Sequence, residues 1–175
     1  MKVTMIRHTA VAVPRGTCYG HTDVPLKNTF PIDAMVVASQ LSEWHYDAAF
    51  SSPLSRCYRL AQACGFADAI CDDRLMELDF GEWEMQMFSE IEDPRFPEWQ
   101  QDPVNVRVTG GESFMDQHMR FLSFIDDLKA MDYERVAIFT HGGILMQAML
   151  YTGMAKLEDL FVEQPTFGGM IHFEI

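Results

Sequence analysis

No apolar run in the 175 residues reaches about 18 in length, the least that crosses a bilayer as a helix. The opening MKVTMIRH lacks the long apolar core of a signal peptide. Membrane-spanning and secreted classes are therefore not expected. Cysteine is sparse, and Cys18, Cys57, Cys64 and Cys71 form no CxxC pair. A zinc ribbon or dithiol motif is left without support, and a reducing cytoplasm is the simplest compartment. No metal-ligating set such as HExxH is present, and His21, His45 and His172 show no ligand spacing. Positive charge is also scarce: 13 basic residues stand against 26 acidic ones, a formal net charge of −13. That balance disfavours nucleic acid and anionic membranes as partners. No internal repeat, low-complexity tract or linker interrupts the chain, so one domain over residues 1–175 is expected.

The composition, 48% hydrophobic and 22% charged, is ordinary for a globular chain. A chain of this size buries about 70% of the surface it exposes when unfolded, a core that needs no disulfide or metal staple. Val3–Ile6 reads as a buried strand. Ala34, Val37, Ala38, Leu41 and Trp44 fall on one face of a helix over Ile32–Trp44. Asp47–Phe50 reads as a second strand, and Ser51-Ser52-Pro53 as a helix start with serine as cap and proline in the first turn. Ala67–Cys71 is a weaker strand, and residues 72–102 read as loops with short helices. A long helix follows Ser113, Arg135–Thr140 is the clearest strand, Gly142-Gly143 opens a helix to about Tyr151, and Met170–Ile175 closes as a strand. Strands alternating with helices imply an α/β fold, a three-layer α/β/α sandwich with a mainly parallel central sheet.

Ligands of such sheets bind beyond the carboxyl ends of the strands. There stand Arg7-His8 after the first strand, Ser51-Ser52-Pro53 with Arg56 after the second, and His141-Gly142-Gly143 after the late one. The charge distribution agrees. Residues 1–59 carry six basic and four acidic residues, whereas residues 72–102 carry eleven acidic and two basic ones. Cationic side chains and two helix N-termini at one sheet edge form an oxyanion site. Each piece alone is common in structural turns; their joint placement is what favours chemistry.

These residues resemble the histidine phosphatase superfamily, also called the phosphoglycerate mutase-like group. MKVTMIRH carries its Arg-His hallmark, SSPLSRCYRLA (51–61) its serine-rich helix start, and LMELDFGEWE (75–84) its proton-donor segment. GGES (110–113) and FTHGG (139–143) match two further elements, and the matches run in the family's order. GTCYGHTDVPL (16–26) looks like the branch assigned as α-ribazole phosphatases.

The resemblance implies a metal-independent phosphomonoesterase without a cofactor. His8 would be the phosphorylated nucleophile, with Arg7, Arg56 and His141 holding the phosphoryl oxygens and Glu77 protonating the leaving oxygen. Glu112 would orient an arginine or histidine at the substrate site. By their place in the first loop, Cys18 and Tyr19 either line the mouth of the site or pack beneath it. Trp83, Met85, Met87 and Phe88 could wall an aromatic base, although such stripes are more often core. His118, four residues after Phe114, reads as a packing histidine. The implied partner is a small phosphate ester, α-ribazole 5′-phosphate in cobalamin assembly, with a sugar phosphate, a phosphorylated amino acid, mutase chemistry or a silent binding module as alternatives. A homodimer stays open. Three departures stand out: Thr9 and Ala10 replace a usual glycine and acid, Pro14 stands where an asparagine often contacts phosphate, and Met85 replaces a glycine after the Trp-Glu pair.

Overall fold

The computed structural model describes residues 1–161 and 164–175. In chain order its elements are β1 (Lys2–Arg7), α1 (Phe30–Leu41), β2 (Ala48–Ser51), α2 (Ser55–Ala63), β3 (Ile70–Cys71), α3 (Phe96–Gln101), α4 (Phe114–Lys129), β4 (Arg135–Thr140), α5 (Gly142–Thr152) and β5 (Met170–Glu174). The strands form one sheet in the order β3-β2-β4-β1-β5. β1, β2, β3 and β4 are parallel where they pair, and β5 runs antiparallel to β1 at the edge.

Successive strand residues point to opposite faces, which explains why the inner strands carry apolar residues on both. Val3, Met5, Phe50, Val136 and Ile138 pack with Phe121, Phe124, Ile125 and Leu128 of α4 and Ile144 and Leu145 of α5. The alternate residues Ile6, Ala49, Ala137 and Phe139 pack with Val37 and Leu41 of α1 and Cys57 and Leu60 of α2. Helices therefore cover both faces, as expected of a mainly parallel sheet. Ser113 caps α4 through a capping box with Asp116, which satisfies otherwise orphaned N–H groups.

Three expected boundaries differ. α1 ends at Leu41, so Trp44 falls outside it and is half exposed. Ser51 completes β2, and Ser52 accepts from the Leu54 N–H at 3.3 Å, so α2 begins at Ser55. The cap comes instead from the first loop: the Ser55 N–H donates to Asp23 Oδ1 at 3.0 Å and its hydroxyl at 2.8 Å. The third strand shrinks to Ile70–Cys71 because it pairs only with β2 and both residues are exposed. No described helix is long and apolar enough to cross a membrane.

Candidate active site

Strand register sets the site. Arg7 pairs with Thr140 and Ser51 with Phe139, so the residues that follow, His8, His141 and Ser52, meet at the sheet's carboxyl edge. The His8 and His141 rings lie 5.3 Å apart, edge to face. His8 Nδ1 is 2.8 Å from the Thr9 carbonyl oxygen. A carbonyl can only accept, so Nδ1 carries the hydrogen and Nε2 keeps its lone pair. Burial, then the Arg56 and Arg7 charges, push the His8 pKa down to about 3 against the opposing pull of the Thr9 bond. Burial first, then Arg56, likewise holds His141 well below the ordinary imidazole range. His141 Nε2 lies 2.8 Å from Ser52 Oγ, and Cys57 Sγ is 3.4 Å from the same nitrogen.

Arg56 is fully buried. It donates from Nη1 to the Thr22 carbonyl at 2.9 Å and from Nη2 to the Gly20 carbonyl at 2.5 Å. That loop is itself held by Glu84, which accepts from the His21 N–H at 2.7 Å and from the Thr22 N–H at 2.5 Å. Arg7 donates to the Pro165 carbonyl and stacks on Phe167 at 4.2 Å. A Cβ on Gly142 would sit 3.1 Å from Arg7 Cζ. Among the described residues, the Nε atoms of Arg7 and Arg56 are buried without a hydrogen-bond partner. Unmet donors on buried cations are costly, and an entering oxyanion would satisfy them.

Glu77 stands across the same space. Its Oε1 accepts from the Leu78 N–H at 2.9 Å and from Gln117 Nε2 at 3.1 Å, and its Oε2 from the Gly143 N–H at 3.1 Å. The last donor belongs to the first turn of α5, where a helix favours a carboxylate. A Cβ on Gly143 would collide with this carboxylate, so only glycine allows the approach. Among the described residues, no group of three His, Cys, Asp or Glu side chains is placed to hold a metal ion.

Two of the candidate residues do not stand at the site. Cys18 has no solvent exposure and packs with Trp83, Phe96 and Val108, a satellite core beneath the loop, so it does not line the site. Glu112 does not face the site either. It accepts from Arg120 Nε at 2.9 Å and Nη2 at 2.9 Å, and from the Asp79 N–H at 3.1 Å. The orienter role is therefore toward Arg120, which sequence reasoning passed over. Arg120 donates to the carbonyls of Arg74 and Met76 at 2.7 Å and of Glu77 at 2.8 Å, fixing the turn that carries Glu77. Its signal was an arginine within the apolar pattern of α4. Gln117 and Gln147 were missed for the same reason: each is a buried polar residue in a helix read by its apolar face. Ser52, read as part of a helix start, instead meets His141.

A cavity of about 260 Å³ is lined by Arg7, His8, Tyr19, Glu77 and Gln117 among others, while the fully buried Arg56 and His141 lie behind it and are not lining residues. Its walls are Leu78, Phe80, Phe88, Trp99, Phe114 and Met146. Phe88 thus faces the cavity, whereas Trp83 is core and Met85 is exposed. Pro14 sits in an exposed turn and is not a lining residue. A wider groove, between α1 and residues 166–172, holds none of the cationic set.

The family model of the histidine phosphatase superfamily (branch 1) matches residues 3–165. The chain belongs to the histidine phosphatase superfamily. It is accordingly a phosphatase of that superfamily, the enzyme class the motifs implied. A curated relative, phosphoserine phosphatase 1 of Hydrogenobacter thermophilus, is 28% identical over 157 residues, covering 85% of this chain and 74% of its own. The crystal structure of the α-ribazole phosphatase from Shigella flexneri matches with a TM-score of 0.87 at 22% identity, covering 100% of this chain and 91% of the other. A mycobacterial glucosyl-3-phosphoglycerate phosphatase matches with a TM-score of 0.84 at 21% identity, covering 99% and 92%. At these identities the two structures establish the fold.

Proposed function

We propose that the protein hydrolyses a small phosphate monoester through a phosphohistidine on His8, and that α-ribazole 5′-phosphate is the substrate the site favours. A phosphate dianion repels nucleophiles, and an alkoxide leaves poorly; a covalent intermediate divides that difficulty into two steps. Neutral His8 presents the lone pair of Nε2 to phosphorus. Arg7, Arg56 and His141 follow the charge on the phosphoryl oxygens as it moves. Glu77 protonates the departing oxygen and then takes a proton from the attacking water.

The observation that carries the choice of substrate is the cavity wall. Phe80, Phe88, Trp99 and Phe114 offer apolar and aromatic surface, which suits a benzimidazole ring and gives nothing to a second charged group. Among the described lining residues, Arg7, His8 and Glu77 are the ionisable groups other than Tyr19, and the proposed chemistry already uses them. Among the described lining residues, the phosphoserine carboxylate and ammonium would find no opposite charge of their own. Burying about 60 Å² of ring at about 25 cal/mol per Å² amounts to roughly tenfold in affinity. The test is kcat/KM on α-ribazole 5′-phosphate, phosphoserine and sugar phosphates, with the first expected to lead by about that factor. Higher efficiency on phosphoserine would replace the substrate and leave the phosphohistidine mechanism standing.

A further inference from the structure

Gln117 and Gln147 have no solvent exposure, although they sit in α4 and α5 among Phe114, Phe121, Ile144 and Ala148. Burying an amide there is costly unless its groups are bonded. The bonds form a single chain. Gln147 Nε2 lies 3.0 Å from the Phe114 carbonyl oxygen and 3.1 Å from Gln117 Oε1. Gln147 Oε1 is 2.8 Å from His118 Nδ1, and Gln117 Nε2 is 3.1 Å from Glu77 Oε1.

The direction of this chain is forced. The Phe114 carbonyl only accepts, so it takes the NH₂ of Gln147. The oxygen of Gln147 then faces His118, whose Nδ1 must donate. Gln117 must turn its oxygen to Gln147 and its NH₂ to Glu77. The three side-chain links each donate toward Glu77, the Phe114 bond being a branch, and bonds aligned in this way polarise one another. His118, which reads from sequence as a packing histidine, is the half-buried start of the chain.

At the other end, Glu77 Oε1 accepts from both Leu78 and Gln117, which occupies its two lone pairs. Among the described residues, Oε2 accepts only from Gly143, which leaves one pair for a proton. We propose that Gln117, braced by Gln147 and His118, is a positioning residue that assigns the exchangeable proton of Glu77 to Oε2. The inference rests on the reading of Glu77 as proton donor. In the first half-reaction the P–N bond to His8 Nε2 forms as the ester P–O bond breaks. The electron pair leaves on the ester oxygen, which takes the Oε2 proton and leaves a carboxylate. In the second, water forms a P–O bond, gives one proton to Oε2, and the P–N pair returns to His8.

The test is rapid-quench measurement of phosphoenzyme formation with an alkyl phosphate and with p-nitrophenyl phosphate, whose leaving group departs without a proton. Gln117→Met keeps length and removes both amide bonds. It should slow the alkyl reaction about tenfold, the worth of a hydrogen bond to a charged group, and change the p-nitrophenyl reaction less than about twofold. Gln147→Met and His118→Ala remove only the brace and should shift the same ratio by about threefold. Equal losses on the two esters, or none, would overturn the proposal. Should Gln117→Met fail to fold by circular dichroism, the ratio in the two brace variants decides by the same criterion. Glu77→Gln is run beside them. If Glu77→Gln discriminates between the esters and Gln117→Met does not, positioning alone fails; if Glu77→Gln does not discriminate, the proton-donor reading fails.

Discussion

His8 and His141 enter the folded protein as neutral rings, whereas in the unfolded chain imidazole protonates near 6.5. The folded pKa of His8 lies at about 3, so between that value and 6.5 the unfolded state binds the extra proton. Stability therefore rises with pH across this window and falls as the solution is acidified. Each such histidine contributes up to about 1.4 kcal/mol per pH unit to the slope. Urea melts of the wild type between pH 7 and 4 should show this loss, and His8→Asn should flatten it by one group's share. An unchanged slope in the variant would mean that His8 protonates freely in the fold. The same neutrality serves the proposed attack, because a protonated Nε2 has no lone pair. His8→Ala should abolish trapping of an acid-labile phosphoenzyme from labelled substrate. His141→Ala should retain slow turnover, reduced about 10²–10³, as for loss of one oxyanion donor. Label retained by His8→Ala would move the nucleophile elsewhere.

The segment joining Glu77 to Glu84 shows how loops reach across to hold the site. Residues 85–88 run back along 16–18: the Met85 N–H donates to the Cys18 carbonyl at 2.7 Å, the Cys18 N–H to Gln86 at 2.8 Å, and the Phe88 N–H to Gly16 at 2.9 Å. To enter this pairing Met85 adopts φ 66, the one non-glycine residue described with positive φ. A side chain with a Cβ costs about 1–2 kcal/mol in that region. Met85 is also half exposed, at 50%, so little packing is lost on removing it. Met85→Gly should therefore raise Tm by about 2–4 °C, read by calorimetry; a fall would mean the methionine packs better than its exposure suggests. The departure from the family's glycine was legible in sequence, and its meaning became clear only with the backbone angle. β1, β4 and α4 were legible for a different reason: their apolar pattern and the Ser113 cap are local signals. The start of α2 was not, because its cap, Asp23, lies in another loop. Cys18 takes the packing alternative and Glu112 orients an arginine, yet neither side chain stands at the site. Their neighbourhood in sequence is the site, but their side chains turn toward Trp83 and Arg120.

Across the whole molecule the proposed site collects residues from positions 7 to 143, and an anion bound there would tie together the ends of β1, β2 and β4, the 20–23 loop and the start of α5. Sequence order could place these groups at one edge, since parallel strands expose their carboxyl ends together. It could not show that, among the described residues, the Nε atoms of Arg7 and Arg56 stay unpaired while Arg7 Nη1 and both Nη atoms of Arg56 donate to distant carbonyls. A ligand that meets these donors only in the folded state stabilises it by about 2.7 kcal/mol at one hundred times its dissociation constant. For a chain of this length that is a rise in Tm of about 5–10 °C. At a net charge of −13, added salt also relieves self-repulsion at the surface. The comparison must therefore set inorganic phosphate against chloride at equal ionic strength. Phosphate should give the larger rise. Arg56→Met lowers the starting Tm by releasing the Gly20 and Thr22 carbonyls, so the informative quantity is the increment over chloride within each variant. That increment should vanish in Arg56→Met and persist in Arg15→Met, an exposed arginine of the first loop outside the site. Equal increments for the two anions in the wild type would mean that the buried guanidinium groups form no oxyanion site, and an undiminished one in Arg56→Met would remove Arg56 from it.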